Sequence, residues 1–442
     1  MTDDGVGPLL LLNLKIECKY CLKFIVNSRN KVMTISFIVE CDVCHHKYVL
    51  KCQCDHVMNH GSMPIRVGCK NCGNILRGEI SAQSLVITKG IKHECENLLE
   101  PYPYVGVSTE LPICVDCYFT DRQLLNNYLC LSSYVNDANI HNHSQRMSIL
   151  ADSMSQTLND LQTLYNIYCN GNISVFSTYV EEKFGKDKNE MIKDKKDMQR
   201  GFVSIFVQLF NVIVSKAYYS QFTQPFVEEL DKVVDNVDAN ILKGLLAAVS
   251  CNMNIENDID ESIKVLMEFV GNMTNFFPLM LLLDKGDFSN SFCGKLYLST
   301  VDYAEVKNIY AELFELLSRW SMLFVGLENL KTRGDYNKLD TKKPLADYCK
   351  KTNGKKSEYI STHSWLKDYY LRTLDNKIRN GIDHAKTKYN AYSQIVEYYP
   401  NVNKPNEKQE IALVDFTFII LQQAIKLVES LHLMMIVLNR VQ

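Results

Sequence analysis

The chain has 442 residues, with 46% hydrophobic residues, 22% charged residues and a formal net charge of -3. That length and apolar content allow two or three domains with real cores and exclude a disordered, collagen-like or small disulfide-framework protein. A pI near 6.4 argues against nucleic-acid binding carried by global charge.

The first residues, MTDDGVGPLLLLNLKIECKY, place two acids before an apolar patch at Leu9 to Leu12. A secretory signal needs a basic start, a longer apolar run and a small-residue cleavage site, so the chain reads as cytoplasmic, with no membrane as a partner. Of its 16 cysteines, eleven precede residue 118. In a reducing compartment, paired cysteines are metal ligands more often than disulfides. Four Cys-x-x-Cys pairs follow one another: Cys18 and Cys21, Cys41 and Cys44, Cys69 and Cys72, Cys114 and Cys117. Two thiolates three positions apart on a tight turn reach one metal ion, and two such turns complete a tetrahedron. Gly73, after the third pair, suits such a knuckle because glycine accepts a positive φ. The runs Phe24 to Val26 and Met33 to Val39 are β-rich, and a strand pair between Cys-x-x-Cys turns is the zinc-ribbon plan. The simplest partition puts Cys18, Cys21, Cys41 and Cys44 on one zinc (Zn2+) and Cys69, Cys72, Cys114 and Cys117 on another. Cys52, Cys54, His56 and His60 replace some of these or build a third site. The zinc is read as structural. A fully thiolate-bound ion has no open position, and no His-x-Glu or His-Glu-x-x-His pattern supplies a base.

From about residue 140 the apolar spacing changes to a period near 3.6. Helical windows run Ser144 to Ile167, Met198 to Tyr219, Phe226 to Val249, Ile259 to Leu283, Val301 to Leu330, Trp365 to Arg379 and Gln409 to Asn439, with other structure at 284–300 and 385–408. The fold class is therefore multi-domain: a β-rich, zinc-ribbon-like Cys-rich domain over 1–125, a helical middle region over 140–252 and an all-α domain over 258–442. The longest apolar run, Phe416 to Leu438, contains Gln422, Gln423, Lys426, Glu429 and His432 and reads as an amphipathic helix, not a membrane span. Residues 331–356 hold nine Lys/Arg against three Asp, which suits a solvated loop or one that attracts phosphate. Cys169, Cys251, Cys293 and Cys349 are isolated and read as buried thiols. His141 and His143 flank a helix start and read as capping or solvated groups, and Trp320 and Trp365 as core.

Near the end of a helical window sits Lys377-Ile378-Arg379-Asn380-Gly381-Ile382-Asp383-His384, the chain's one R-x4-H. Arginine offers a permanent forked donor set that fits a phosphate and its developing charge. Histidine titrates near neutral pH and moves protons. RNA brings its own nucleophile, the 2′-hydroxyl, so Arg plus His without a metal is a sufficient minimal kit for RNA cleavage by internal transesterification. DNA, lacking that hydroxyl, would not be cut. Positions i and i+5 lie about 140° apart on an ideal helix, so the two residues do not share a face unless Gly381 ends or distorts it or a second protomer completes the pair.

These residues resemble the R-x4–6-H motif of the HEPN superfamily (higher eukaryote and prokaryote nucleotide-binding), which typically has a polar residue after the Arg. The flanks are also similar to bacterial HEPN proteins of the toxin and abortive-infection type: a short extended segment from Tyr389 to Pro400, a polar turn and a long final helix. The resemblance is specific over about 360–440 and extends from about 258. It implies a HEPN-like helical bundle, with Arg379 on the scissile phosphate, Asn380 positioning it and His384 as general base or acid. It implies RNA as partner, a homodimer with a composite cleft, a possible protein trigger or antitoxin, and a setting in antiviral defence. Asp383 either orients His384 or discourages phosphate. The competing reading, from a different class, is a non-catalytic, zinc-dependent adaptor that binds nucleic acid or protein through a degenerate HEPN domain.

Overall fold

The computed structural model describes residues 25–26, 33–53, 63–80, 85–93, 102–120, 126–184, 192–283, 291–339, 344–352, 356, 373–383, 387–401, 404 and 407–441. Cys18, Cys21, Cys54, His56, His60, Trp365 and His384 lie outside these residues.

The front of the chain is strand-rich because its β-branched and aromatic residues come in short runs broken by Cys-x-x-Cys and glycine turns. Its strands are β1 (Ile25–Val26), β2 (Met33–Cys41), β3 (Lys47–Gln53), β4 (Met63–Gly68), β5 (Ile75–Ile80), β6 (Leu85–Lys89), β7 (Ile91–His93), β8 (Tyr104–Val107), β9 (Ile113–Cys114) and β10 (Phe119–Thr120). One sheet runs β1-β2-β3-β8-β10, with β7 also paired to β2. Within it β2 and β3 form an antiparallel hairpin with Val39 opposite Tyr48, and β8 lies parallel to β3. A second, antiparallel sheet runs β4-β5-β6. Helices α1 (Val115–Tyr118) and α2 (Asn127–Leu131) close the region.

The remainder is mostly helical: α3 (Asp137–Cys169), α4 (Ile173–Phe184), α5 (Lys195–Ile213), α6 (Lys216–Tyr218) with a π turn at Tyr219–Thr223, α7 (Gln224–Asn236), α8 (Ala239–Ser250), α9 (Ile255–Gly271), α10 (Met273–Leu283), β11 (Leu296–Tyr297), α11 (Tyr303–Arg333), α12 (Leu345–Cys349), α13 (Asn376–Asp383), β12 (Thr387–Asn390), β13 (Ile395–Tyr398), β14 (Gln409–Ala412) and α14 (Leu413–Val441). Two predicted helical windows divide. The window 226–249 breaks before Asp238, whose side chain accepts from the Asn240 N–H and starts α8. The window 259–283 breaks at Asn272, where α10 turns 88° away from α9. Residues 409–412, expected to be helical, are a strand that pairs with β13. Helix α11 begins at the N-cap Asp302 and ends at Gly334 with φ of 68°. Trp320 is fully buried in α11 and donates its indole N–H to Ser262 Oγ at 3.0 Å. By length and composition α14 could cross a bilayer, but 72% of its apolar window is buried within the bundle, where it packs on α5 and α11.

Strands and helices share one continuous core, which crosses the boundaries expected between domains. β9 pairs with β11, with Cys114 opposite Leu296, and Tyr118 stacks on Tyr297 at 4.3 Å. Ser299 Oγ accepts from Ser108 N–H at 2.9 Å and donates to the Ser108 carbonyl at 2.7 Å. Arg66 Nε donates to Glu305 at 2.8 Å, and Arg77 pairs with Asp302, which is 1% exposed. Both acids stand at the start of α11, so the β4-β5-β6 sheet grips that helix by its first turn. Gln394, buried in the β12–β13 turn, accepts from Leu298 N–H at 2.8 Å and donates to the Leu298 carbonyl.

At the end of β4, Gly68 packs directly on this turn. A Cβ there would come within 2.5 Å of Tyr392 N and nearer still to the Ala391 carbonyl. Backbone cannot rotate away as a side-chain tip can, so Gly68→Ala should cost about 3 kcal/mol, the upper range for overpacking. Urea denaturation measures this as a lower midpoint at unchanged slope, and a midpoint equal to that of the wild type would refute the close approach.

Candidate functional site

Two hairpin tips meet. The β2–β3 turn carries Cys41 and Cys44, and the β4–β5 turn carries Cys69 and Cys72. The two turns are built alike. Cys41 N–H donates to the His46 carbonyl at 3.0 Å, and His45 N–H to the Cys41 carbonyl at 2.9 Å. In the second turn Cys69 N–H donates to the Asn74 carbonyl at 2.8 Å, and Gly73 N–H to the Cys69 carbonyl at 2.8 Å. The residue after the second cysteine is left-handed in both, with φ of 58° at His45 and 72° at Gly73. Glycine takes that conformation freely. His45 takes it while its ring contacts the buried Glu40 carboxylate, Nδ1 to Oε1 at 2.8 Å.

The four Sγ atoms lie within 4.8 Å of one another, with Cys41 and Cys72 at 3.6 Å and Cys44 and Cys69 at 3.6 Å. A tetrahedral zinc with bonds near 2.3 Å has S···S edges of about 3.8 Å, so these thiols fit one such ion. Cys41 and Cys69 are fully buried, Cys44 is half-buried and Cys72 is exposed. Asn74 Nδ2 donates to Asp42 Oδ1 at 2.8 Å and so ties one knuckle to the other. Burial raises the Cys44 pKa, but hydrogen bonds from the Asn71 side chain, the His46 backbone and the neighbouring thiols outweigh it and hold the thiol at about 6. Burial pushes Cys69 up to about 12. One acidic thiol among costly ones is a set that a cation would complete.

This geometry replaces the partition expected from chain order. Cys41 and Cys44 share their cluster with Cys69 and Cys72, because the two hairpin tips lie side by side. The second expected set is thereby divided: Cys114 and Cys117 sit apart at β9 and α1, where Cys117 Sγ is 3.4 Å from Cys130 Sγ. Cys52 is buried in β3, within the core. Three other expectations also change. His143 is fully buried in α3, its Nε2 lies 2.8 Å from the Glu110 carbonyl, and burial pulls its pKa down to about 3, so it is a neutral core group. Cys169, Cys251 and Cys293 are exposed, not buried: the first two stand at helix ends and the third in a turn. Cys349 is half-buried.

The Arg379 site lies on α13, beside α11. Arg379 is 30% exposed and forms an ion pair with Glu315 of α11, with Nε and Nη2 at 2.8 and 2.7 Å from Oε1. Lys356 is within electrostatic reach of the same carboxylate. Asn380 is half-buried on the same helix. Gly381 neither ends nor distorts α13, which continues to Asp383. It lets the helix press on β13, where a Cβ would come 2.8 Å from Tyr398 Cβ. A cavity of about 390 Å³ opens beside Ile378, but Asp375, Glu410 and Asp415 line it and Arg379 does not. A phosphate would meet Arg379 from the Glu315 side. No family model, curated protein or solved structure matches the chain.

Removal of one buried cysteine should empty the four-thiolate cluster as a unit. Cys69→Ser is expected to lower zinc content by one equivalent per chain, read by plasma mass spectrometry, and to open Cys44 to thiol reagents. Unchanged zinc content in that variant would rule out this ligand set.

Proposed function

We propose that the chain is a HEPN-type endoribonuclease whose metal-independent chemistry resides at Arg379, Asn380 and His384, with a zinc-braced strand module as its front part. The observation that carries this reading is the placement of Arg379: a half-exposed guanidinium on a short helix, held by a surface carboxylate rather than buried in the core. The R-x4-H order and the hairpin and long buried helix after it agree with the resemblance drawn from the sequence.

In this reading the RNA 2′-hydroxyl attacks the adjacent phosphorus and the 5′-oxygen leaves, giving a 2′,3′-cyclic phosphate and a 5′-hydroxyl. His384 takes the proton from the nucleophile or returns one to the leaving oxygen. Arg379 donates to the non-bridging oxygens as their charge grows. Asn380 positions the phosphate. A second protomer supplies the facing motif, and the biological role is that of a toxin or an antiviral abortive-infection effector. The zinc, on this reading, takes no part in the reaction.

The Arg379–Glu315 pair favours a second reading. A guanidinium already neutralised by a carboxylate also serves as a clamp between α13 and α11, as a non-catalytic adaptor would need. Variants separate the two. If Arg379 acts on phosphate, Arg379→Ala and His384→Ala each lower cleavage of a labelled RNA about 100-fold or more in magnesium-free buffer, while the melting temperature of His384→Ala stays at the wild-type value. An RNA with a 2′-deoxy sugar at the scissile position stays intact. Glu315→Gln, which removes a competing negative charge, tightens RNA binding. Absence of any cleavage by the wild type, with Arg379→Ala merely less stable, decides for the adaptor.

A further inference from the structure

Cys114 and Cys117 take no part in the four-thiolate cluster, yet they are 1% and 0% exposed. Cys130 comes to them from α2, with its Sγ 3.4 Å from Cys117 Sγ. The approach is arranged by a buried side chain. Asn127 Oδ1 accepts from Cys114 N–H at 2.9 Å, and Asn127 Nδ2 donates to the Pro112 carbonyl at 2.9 Å. Cys130 follows Asn127 by three residues, so it stands on the same face of α2, one turn along. Strand β9 holds Cys114 in place from the other side by pairing with β11. Three cysteines from two separate segments thus converge.

Burial pushes Cys114 up to about 12, with the charge of Cys130 adding to the rise. Cys117 rises further for the same reasons. A disulfide between Cys117 and Cys130 would leave Cys114 as an unexplained buried thiol in a Cys-x-x-Cys turn. A soft divalent cation uses all three.

We propose that Cys114, Cys117 and Cys130 form a second thiolate site for a soft divalent cation of the zinc type, separate from the cluster at the hairpin tips. Thiolate donors select such an ion over magnesium or calcium. Each thiol that enters the coordination shell gives its proton to solvent, so the step needs no oxidant or reductant. The bound ion rivets α2, where the helical part begins, to the β9 strand. The site stands independently of the reading of Arg379.

Metal analysis of the full-length chain tests this. Cys130→Ser should hold one equivalent of zinc less than the wild type, Cys69→Ser should lack a different one, and the double variant should lack both. A Cys130→Ser chain with wild-type zinc content overturns the proposal. Should that variant fail to fold, the unaltered protein decides by iodoacetamide labelling and peptide mass spectrometry. Cys130 should resist the reagent until a zinc chelator is added, while the exposed Cys169 and Cys251 react at once. Labelling of Cys130 as fast as Cys251, or recovery of a Cys117–Cys130 disulfide peptide from freshly isolated protein, also overturns it.

Discussion

Four sulfur atoms held within 4.8 Å of one another are the constraint that organises the front of this protein. Thiolates so close repel unless a cation sits among them, and thiols so close pack no better than any small apolar group. The two knuckles have little else to hold them together: each is a hairpin tip, at the far end of its own sheet. With an ion between them, the β2–β3 hairpin and the β4–β5 hairpin become one body. The second of these also holds the helical part. Arg66 and Arg77 reach from β4 and β5 to Glu305 and Asp302. Asp302 is buried, so leaving it without Arg77 would cost about 3–5 kcal/mol. The grip is therefore strong where it is needed, on the residue that also caps α11.

The junction is continuous rather than a loose interface between domains. A strand pair, a reciprocal Ser108–Ser299 hydrogen-bond pair and a glycine pressed on backbone all cross it. Gln394 shows how closely the parts are fitted. It occupies a left-handed position with φ of 53°, which few residues without glycine's freedom adopt. Its amide satisfies both backbone groups of Leu298, and its own carbonyl accepts from Leu413 N–H at 2.7 Å, at the start of α14. One side chain in a turn thus links the strand at the front junction to the central helix of the bundle.

Much of this layout was legible in residue order, and the reason is local. Strand and helix periods, the Cys-x-x-Cys turns and the glycine after Cys72 are short-range patterns, and the observed elements follow them. What was not legible depends on packing between distant segments. Every Cys-x-x-Cys turn looks alike along the chain, so pairing by order joined Cys69 and Cys72 to Cys114 and Cys117, when the hairpin tips instead bring them to Cys41 and Cys44. Cys130 was passed over because it lacks a partner at i+3, although it follows Cys117 by only 13 residues. Glu315 carries no signal at all: it is one acid on a long helix until α13 docks beside it, 64 residues later. The helical windows that divided did so at Asp238 and Asn272, polar residues that start or end helices by satisfying backbone groups.

The same long helix joins the two candidate sites. Asp302 and Glu305, at the start of α11, answer to the sheet that carries Cys69 and Cys72, while Glu315 answers to Arg379. Ten residues of helix, about 15 Å, separate Glu305 from Glu315. A helix transmits displacement along its axis with little loss, because its hydrogen bonds resist stretching far more than its ends resist fraying. Whatever loosens the β4–β5 tip, loss of its cation above all, therefore acts first on the cap of α11 and then on the carboxylate that holds Arg379. The cysteine-rich front is more than an appended module on this geometry. It sets the position of the helix from which the arginine is presented, and the ion at the hairpin tips is the part of that support most easily removed.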